Sequence, residues 1–250
     1  MIWIRSALFW LAFIITTPIA ALIGTLILPL PPRTRYAIMS LWARVMMPWL
    51  RLTCGLKYKI IGAENIPQGP AMVMSKHQSA FETIALQRIF PAQVWVMKKE
   101  LLKLPFFGWA IRTLSPIVLD RSKRSEAQKL LMEAGRDRIA KGFWIVIYPE
   151  GTRIAPGQRG QYKQGGARLA ADIGIPIVPV ALNSGEFWPR NSFLKWPGEV
   201  TVIVGKPIET RGRTAQEITA EVEEWIEAQL AAIPDSDRGP HYPKYLLKQH

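Results

Sequence analysis

Acidic residues are missing from the start of this chain: no Asp or Glu occurs between Met1 and Ile60, and Glu64 is the first. The same stretch carries Arg5, Arg33, Arg35, Arg44, Arg51, Lys57 and Lys59, so its charge is of one sign. From Ser6 to Pro32, a run of 27 residues, there is no charge at all. Cysteine is almost absent, and the single Cys54 excludes an internal disulfide framework. Histidine is scarce too: His241 and His250 lie in the last ten residues, which leaves only His77 inside the body. So few Cys and His argue against a structural zinc cluster, and no metal site is expected. What is present is 250 residues, 49% of them hydrophobic, enough to bury a sizeable core. The 32 Lys and Arg against 19 Asp and Glu give a net charge of +13. Such a balance points to anionic partners: nucleic acid, a membrane surface or phosphorylated substrates.

The uncharged run contains LFWLAFIITTPIAALIGTLILPL. As one helix it would reach roughly 40 Å, against a hydrocarbon slab about 30 Å thick. A cleaved signal peptide fits poorly, because only Arg5 precedes the run and no convincing small-residue cleavage site follows. A buried core helix would have to hide more apolar length than a domain of this size usually does. A membrane-embedded helix fits best, with Trp3, Trp10, Phe13 and Pro18 as anchoring residues. Pro18 leaves both a kinked span and a shallow re-entrant insertion open. The basic residues that follow place the remainder on the cytoplasmic side. Tyr36 to Leu52 reads as an interfacial helix whose arginines meet lipid phosphates, or as an amphipathic helix packed on the domain.

Beyond about residue 56 the texture changes. LKYKIIG, PAMVMS, QVWVMK, SPIVLD, FWIVIYP, IPIVPVAL and EVTVIVG are short, Val/Ile-rich runs bounded by Gly or Pro, and predict strands. Ser79–Phe90, Ser125–Lys141, Gly166–Ile173 and Thr214–Ile233 predict helices, the last opened by a Thr214–Glu217 capping box. Alternation of this kind predicts an α/β fold: a mixed, largely buried sheet flanked by helices, behind an N-terminal hydrophobic anchoring segment. The expected organisation is 1–54 for the anchoring helices, 55–233 for the α/β domain and 234–250 for a loosely packed tail.

Three strand ends carry chemistry. After PAMVMS comes Lys76-His77-Gln78-Ser79-Ala80-Phe81-Glu82. A base histidine needs its second ring nitrogen held by an acceptor, and Glu82 lies five residues on. Ser79-x-x-Glu82 is equally a capping box, so the carboxylate could merely close a helix. FWIVIYP runs into Glu150-Gly151-Thr152-Arg153, where glycine permits close backbone approach and arginine offers a bidentate fork to phosphate. The bland reading there is a surface turn with a Glu150–Arg153 ion pair. SPIVLD ends in Asp120-Arg121, and QVWVMK in Lys98 followed by Lys99.

In order and spacing these segments resemble the glycerophospholipid acyltransferases, most closely the bacterial 1-acylglycerol-3-phosphate acyltransferases. The family blocks N/K-H-x-x-x-x-D, G-x-x-F-I-D-R, F-P-E-G-T-R-S and V-P-V-A-x-N-S/R-G stand here as KHQSAFE, SPIVLDR, YPEGTRI and VPVALNSG. MKKEL, PFFGW and YKQG match the intervening signatures, and the resemblance covers roughly residues 55–210. The chain departs from the pattern at Glu82 for aspartate, Ser115 for glycine, Val118 for phenylalanine and Ile154 for serine. Related enzymes acting on lipid A also carry H-x-x-x-x-E.

The resemblance implies a membrane-bound enzyme of the bacterial inner (cytoplasmic) membrane, working on its cytoplasmic side. It would move a fatty acyl chain from acyl-CoA or acyl carrier protein to the sn-2 hydroxyl of lysophosphatidic acid, giving phosphatidic acid. His77, oriented by Glu82, would be the general base, with no covalent acyl-enzyme and no cofactor beyond the acyl donor. Arg153, Glu150, Gly151 and Thr152 would lie at the acceptor phosphate, with Lys98 and Arg121 as further candidates. Backbone amides near Gly151 or at the start of the Ser79 helix are candidate oxyanion donors. Two other acceptors compete, a lyso-ornithine lipid and a lipid A precursor. A basic membrane scaffold would leave KHQSAFE and YPEGTR unexplained, and nothing in the chain is a nucleic-acid motif.

Overall fold

Seven strands form one sheet in the order β1-β7-β6-β2-β5-β3-β4, as seen in a computed structural model describing residues 1–120 and 122–247. They are β1 (Leu56–Ile61), β2 (Met72–Ser75), β3 (Gln93–Lys98), β4 (Ile117–Leu119), β5 (Trp144–Ile147), β6 (Ile177–Leu182) and β7 (Gly198–Val204). Each corresponds to one of the seven apolar runs. Only the β6–β7 pair is antiparallel, so the sheet is mixed. β2 and β6 are buried at every position, which is why they read as continuous apolar runs rather than alternating ones.

Helices α3 (Phe81–Ile89), α5 (Arg124–Ala140), α6 (Gly165–Ile173) and α7 (Ala215–Ala232) match the periodic segments. The Thr214 hydroxyl and the Glu217 carboxylate close the predicted capping box on α7. The short α4 (Phe107–Arg112) is an element the sequence pattern missed, because a helix of barely two turns shows no periodicity.

The N-terminal segment is a hairpin of α1 (Ile2–Leu26) and α2 (Pro32–Cys54). Pro32 occupies the first turn of α2, where its missing N–H costs nothing, and Gly55 ends it at φ 69°. Arg5 Nε donates to Thr53 O at 2.7 Å, Trp49 Nε1 to Leu8 O at 3.3 Å and Trp42 Nε1 to Thr16 Oγ1 at 2.9 Å, so the two helices run antiparallel. Both ends of α1 touch the α/β body. Lys195 N–H donates to Ser6 Oγ at 3.0 Å, and Gly24 sits so close to Thr113 that a Cβ would meet it at 2.9 Å.

Two of the expected anchoring residues are placed differently from the sequence reading. Trp10 donates its indole N–H to Phe193 O at 2.9 Å, and Phe13 packs edge-on against Trp42 with centroids 5.3 Å apart. Both fill the seam behind α1, where flat rings pack against the body. There the buried Lys195 ammonium lies 4.0 Å from the Trp10 ring and 4.6 Å from Trp188, and burial pushes it down to about 7. Pro18 is half-buried, while Trp3 is 64% exposed and stacks on Phe193. The outer face of α1 is aliphatic instead: Ile4, Leu8, Leu11, Ile15, Ile19 and Leu22.

Through residue 241 the tail is clasped rather than loose. Arg238 donates to Glu186 Oε1 at 3.1 Å and to Leu230 O at 2.7 Å, and Gly239 N–H to Glu186 Oε2 at 2.7 Å.

Candidate active site

β2 and β5 are adjacent and parallel, with Met74 opposite Ile147. Their carboxyl ends therefore release the His77 and Glu150 segments side by side, at the edge where ligands of open α/β sheets bind. The His77 N–H donates to Glu150 Oε2 at 2.9 Å, and its carbonyl accepts from Ile154 N–H at 2.8 Å. Its ring stacks on Tyr148 with centroids 3.9 Å apart. Backbone and ring are thus both held. His77 Nδ1 lies 3.7 Å from Glu82 Oε2. A shift of roughly 0.5 Å would bring the pair within hydrogen-bond distance.

Glu82 is fully buried and heavily satisfied. It accepts from Gln78 N–H at 2.8 Å, Ser79 N–H at 2.9 Å and the Ser184 hydroxyl at 2.6 Å. Burial alone would raise its carboxyl, but His77, Ser184 and the Gln78 amide together outweigh it and hold the group below the usual range. One carboxylate therefore both closes the turn before α3 and faces His77 Nδ1. The Ser79 half of the box is not formed, since Ser79 Oγ accepts from Phe81 N–H at 2.9 Å and α3 starts one residue later than that box requires.

A pH dependence follows, with its sign. A carboxyl lowered on folding stabilises the fold fully above its ordinary value of 4.5, and that contribution fades as pH falls through the lower folded value. Thermal melts from neutral to acid pH should show a steeper acid-side loss for the wild type than for Glu82→Ala. Parallel profiles would mean that folding leaves the Glu82 carboxyl unshifted.

Glu150 departs from its expected place at the acceptor phosphate. It is buried, one oxygen on the His77 amide and the other 2.7 Å from the Lys76 ammonium, and it does not pair with Arg153. The physical reason is charge: a carboxylate repels a phosphate but satisfies a buried ammonium. The amides proposed as oxyanion donors are also engaged, Gly151 N–H with Tyr148 O at 2.9 Å and those of Gln78 and Ser79 with Glu82.

A cleft of about 1030 Å³ opens at His77. Gly151, Thr152, Arg153 and Lys98 line it, joined by Lys163, Arg168 and Arg190. No Asp or Glu lines it among the described residues. Asp120 pairs with Lys99, which leaves Lys98 at the cleft; Arg121 lies outside the described residues. Trp95, Met97, Phe107, Ile111, Leu119 and Leu131 make the rest of the wall apolar. Sequence reasoning assigned no role to Ser184, Arg168 or Arg190. Ser184 stood inside the VPVALNSG block, but only folding shows that its hydroxyl reaches Glu82.

A histidine pinned beside a buried carboxylate, opening on a cation-lined and partly apolar cleft, is equipped for proton-coupled transfer onto an anionic amphiphile. Residues 57–183 match the acyltransferase family model. The chain is 37% identical to a Pseudomonas aeruginosa 1-acyl-sn-glycerol-3-phosphate acyltransferase, over 96% of each chain. A Saccharomyces cerevisiae 1-acyl-sn-glycerol-3-phosphate acyltransferase is 32% identical, over 83% of this chain and 73% of that one. The crystal structure of the 1-acyl-sn-glycerophosphate (LPA) acyltransferase PlsC from Thermotoga maritima has a similar fold, with a TM-score of 0.74 at 22% identity, covering 90% of this chain and 93% of that one. The chain belongs to the acyltransferase family.

Proposed function

We propose that this enzyme acylates the sn-2 hydroxyl of lysophosphatidic acid to phosphatidic acid, drawing the acyl group from acyl-CoA or acyl carrier protein. The observation that carries the reading is His77 beside the buried Glu82, at a cleft lined by Arg153 and Lys98 with no acid among its described lining residues. The names of the Pseudomonas and yeast relatives support the acceptor.

His77 Nε2 takes the hydroxyl proton as the acceptor oxygen attacks the thioester carbonyl carbon. Glu82 faces Nδ1 and stabilises the imidazolium that forms. When the tetrahedral intermediate collapses, the C–S bond breaks and Nε2 returns the proton to the departing thiolate. The products are an ester and a free thiol, with no acyl-enzyme. Cys54 and Ser79 are both buried and absent from the cleft lining, which agrees with direct transfer. Arg153 forks onto the acceptor phosphate with Lys98 beside it, and the Trp95–Leu131 wall receives an acyl chain.

The decisive assay offers labelled acyl donor and a panel of lyso-lipids to the purified chain. Lysophosphatidic acid should give the highest kcat/KM. A higher value for lyso-ornithine lipid or a lipid A precursor would move the enzyme to that acceptor.

The membrane reading rests on α1, the one helix among the described residues long and apolar enough to cross a bilayer. Because both its ends contact the body, the helix lies along the domain, which favours burial in the cytoplasmic leaflet of the inner membrane over a span. Apolar insertion is not screened by salt. The protein should sediment with membranes, resist a high-salt wash and release into detergent; recovery in the salt supernatant would count against insertion.

A further inference from the structure

Beside His77 lies a largely buried charge cluster, Lys76, Glu150 and Glu227, none of which lines the cleft and none of which the transfer steps use. The Lys76 ammonium has no solvent exposure; it is 2.7 Å from Glu150 Oε1, 2.7 Å from Glu227 Oε1 and 3.3 Å from Gln158 O. Glu227 comes from α7, beyond the 57–183 span of the family match. It also accepts the Tyr162 hydroxyl at 2.9 Å. The second oxygen of Glu150 holds the His77 N–H at 2.9 Å. An unbroken chain of contacts therefore runs from the last helix to the backbone of the catalytic histidine.

The charges explain why such a chain is needed. Burial pushes the Glu150 carboxyl up, Lys76 and the His77 amide pull it back, and the Glu227 charge pushes it up again. The ammonium must therefore stay close for the carboxylate to remain on the His77 amide. A lysine side chain is long and rotamer-rich, and one partner fixes it poorly. Glu227, itself held by Tyr162, is the second anchor.

We infer that Glu227 is a positioning residue for acyl transfer: it fixes Lys76, which keeps Glu150 on the His77 amide and so sets where the imidazole stands relative to Glu82 and the acceptor hydroxyl. The inference rests on His77 as the general base.

The test is steady-state kinetics of the full chain in detergent or vesicles, with lysophosphatidic acid and an acyl thioester, alongside thermal melts. Misplacing a catalytic group by a fraction of an ångström costs rate rather than affinity, so Glu227→Ala should lower kcat on the order of 10-fold with both KM values within about two-fold. Glu227→Gln keeps an acceptor oxygen for Tyr162 and should recover part of that loss. Adding Glu227→Ala to Glu150→Gln should cost little beyond Glu150→Gln alone, because the residues act as a unit. A purely structural role predicts a lower Tm with normal kcat per folded enzyme, and that result overturns the assignment. Should Glu227→Ala fail to fold, the isosteric Glu227→Gln decides: reduced kcat at unchanged KM supports the role, and wild-type kcat overturns it. His77→Ala is run in parallel. If it stays active, the general-base reading falls and the inference with it; if it is inactive while the Glu227 variants are normal, only the inference falls.

Discussion

His77→Ala should abolish transfer, and Glu82→Gln should lower kcat by on the order of 10²-fold or more in the enzyme that folds. Among the described residues, His77 is the only imidazole lining the cleft, and Glu82 is the only carboxylate paired with its Nδ1, at 3.7 Å. In the proposed mechanism, removing the Glu82 charge removes what stabilises the imidazolium. The structure also predicts a cost to stability. The carboxylate receives three donors, from Gln78, Ser79 and Ser184, and a glutamine has one acceptor oxygen to offer them. Thermal stability should therefore fall with kcat, and the two roles must be separated by kcat per folded enzyme. Ser184→Ala helps to separate them, because it removes one donor while leaving the charge, and its kcat should stay within several-fold of wild type. Glu82→Asp, which restores the residue common in the family, should retain substantial activity if the backbone moves in by about one methylene. Adding Glu82→Gln to His77→Ala should cost little further rate. A folded Glu82→Gln enzyme with near-normal kcat would sink the dyad.

Arg153→Ala should raise the acceptor KM by about 30-fold or more, since a desolvated, charge-assisted bidentate contact is worth a few kcal/mol. The loss should fall on acceptor binding while kcat at saturation changes far less, because in the proposed function Arg153 holds the phosphate rather than the reacting oxygen. Its loop is tied down by Arg190, which donates to the Arg153 carbonyl at 3.3 Å. Arg153→Lys should recover only part of the affinity, since an ammonium cannot reproduce the planar fork. Acceptor titrations at a fixed donor concentration read the effect. Equal KM values for the Lys variant and the wild type would reduce the contact to a general positive field, to which Lys98, Lys163, Arg168 and Arg190 already contribute.

Much of this was legible in the chain because it is local. Strand and helix positions follow from apolar periodicity and from Gly, Pro and capping residues within a few positions. The His77–Glu82 spacing already places a carboxylate in the first turn after the strand that delivers the histidine. KHQSAFE, SPIVLDR, YPEGTRI and VPVALNSG are each contiguous, so the likeness to the acyltransferases is visible in the chain itself.

Other features depended on which way a side chain points once distant segments close together. Glu150 and Arg153 share one short loop, yet one turns inward to Lys76 and the other outward to the cleft. Burial, not sequence, separates them: an ammonium without solvent needs its carboxylates, and a phosphate needs cations free of them. Trp10 and Phe13 turned from lipid to the domain for a related reason, since the seam behind α1 offers rings to pack against and a buried ammonium at Lys195. Ser184 reaches Glu82, and Glu227 reaches Lys76, across more than a hundred residues of chain. Spacing within a segment determined which reactive groups this protein carries; the parallel pairing of β2 with β5 and β6, which aligns their carboxyl ends, decided which of them meet at the cleft and which turn inward to buried partners.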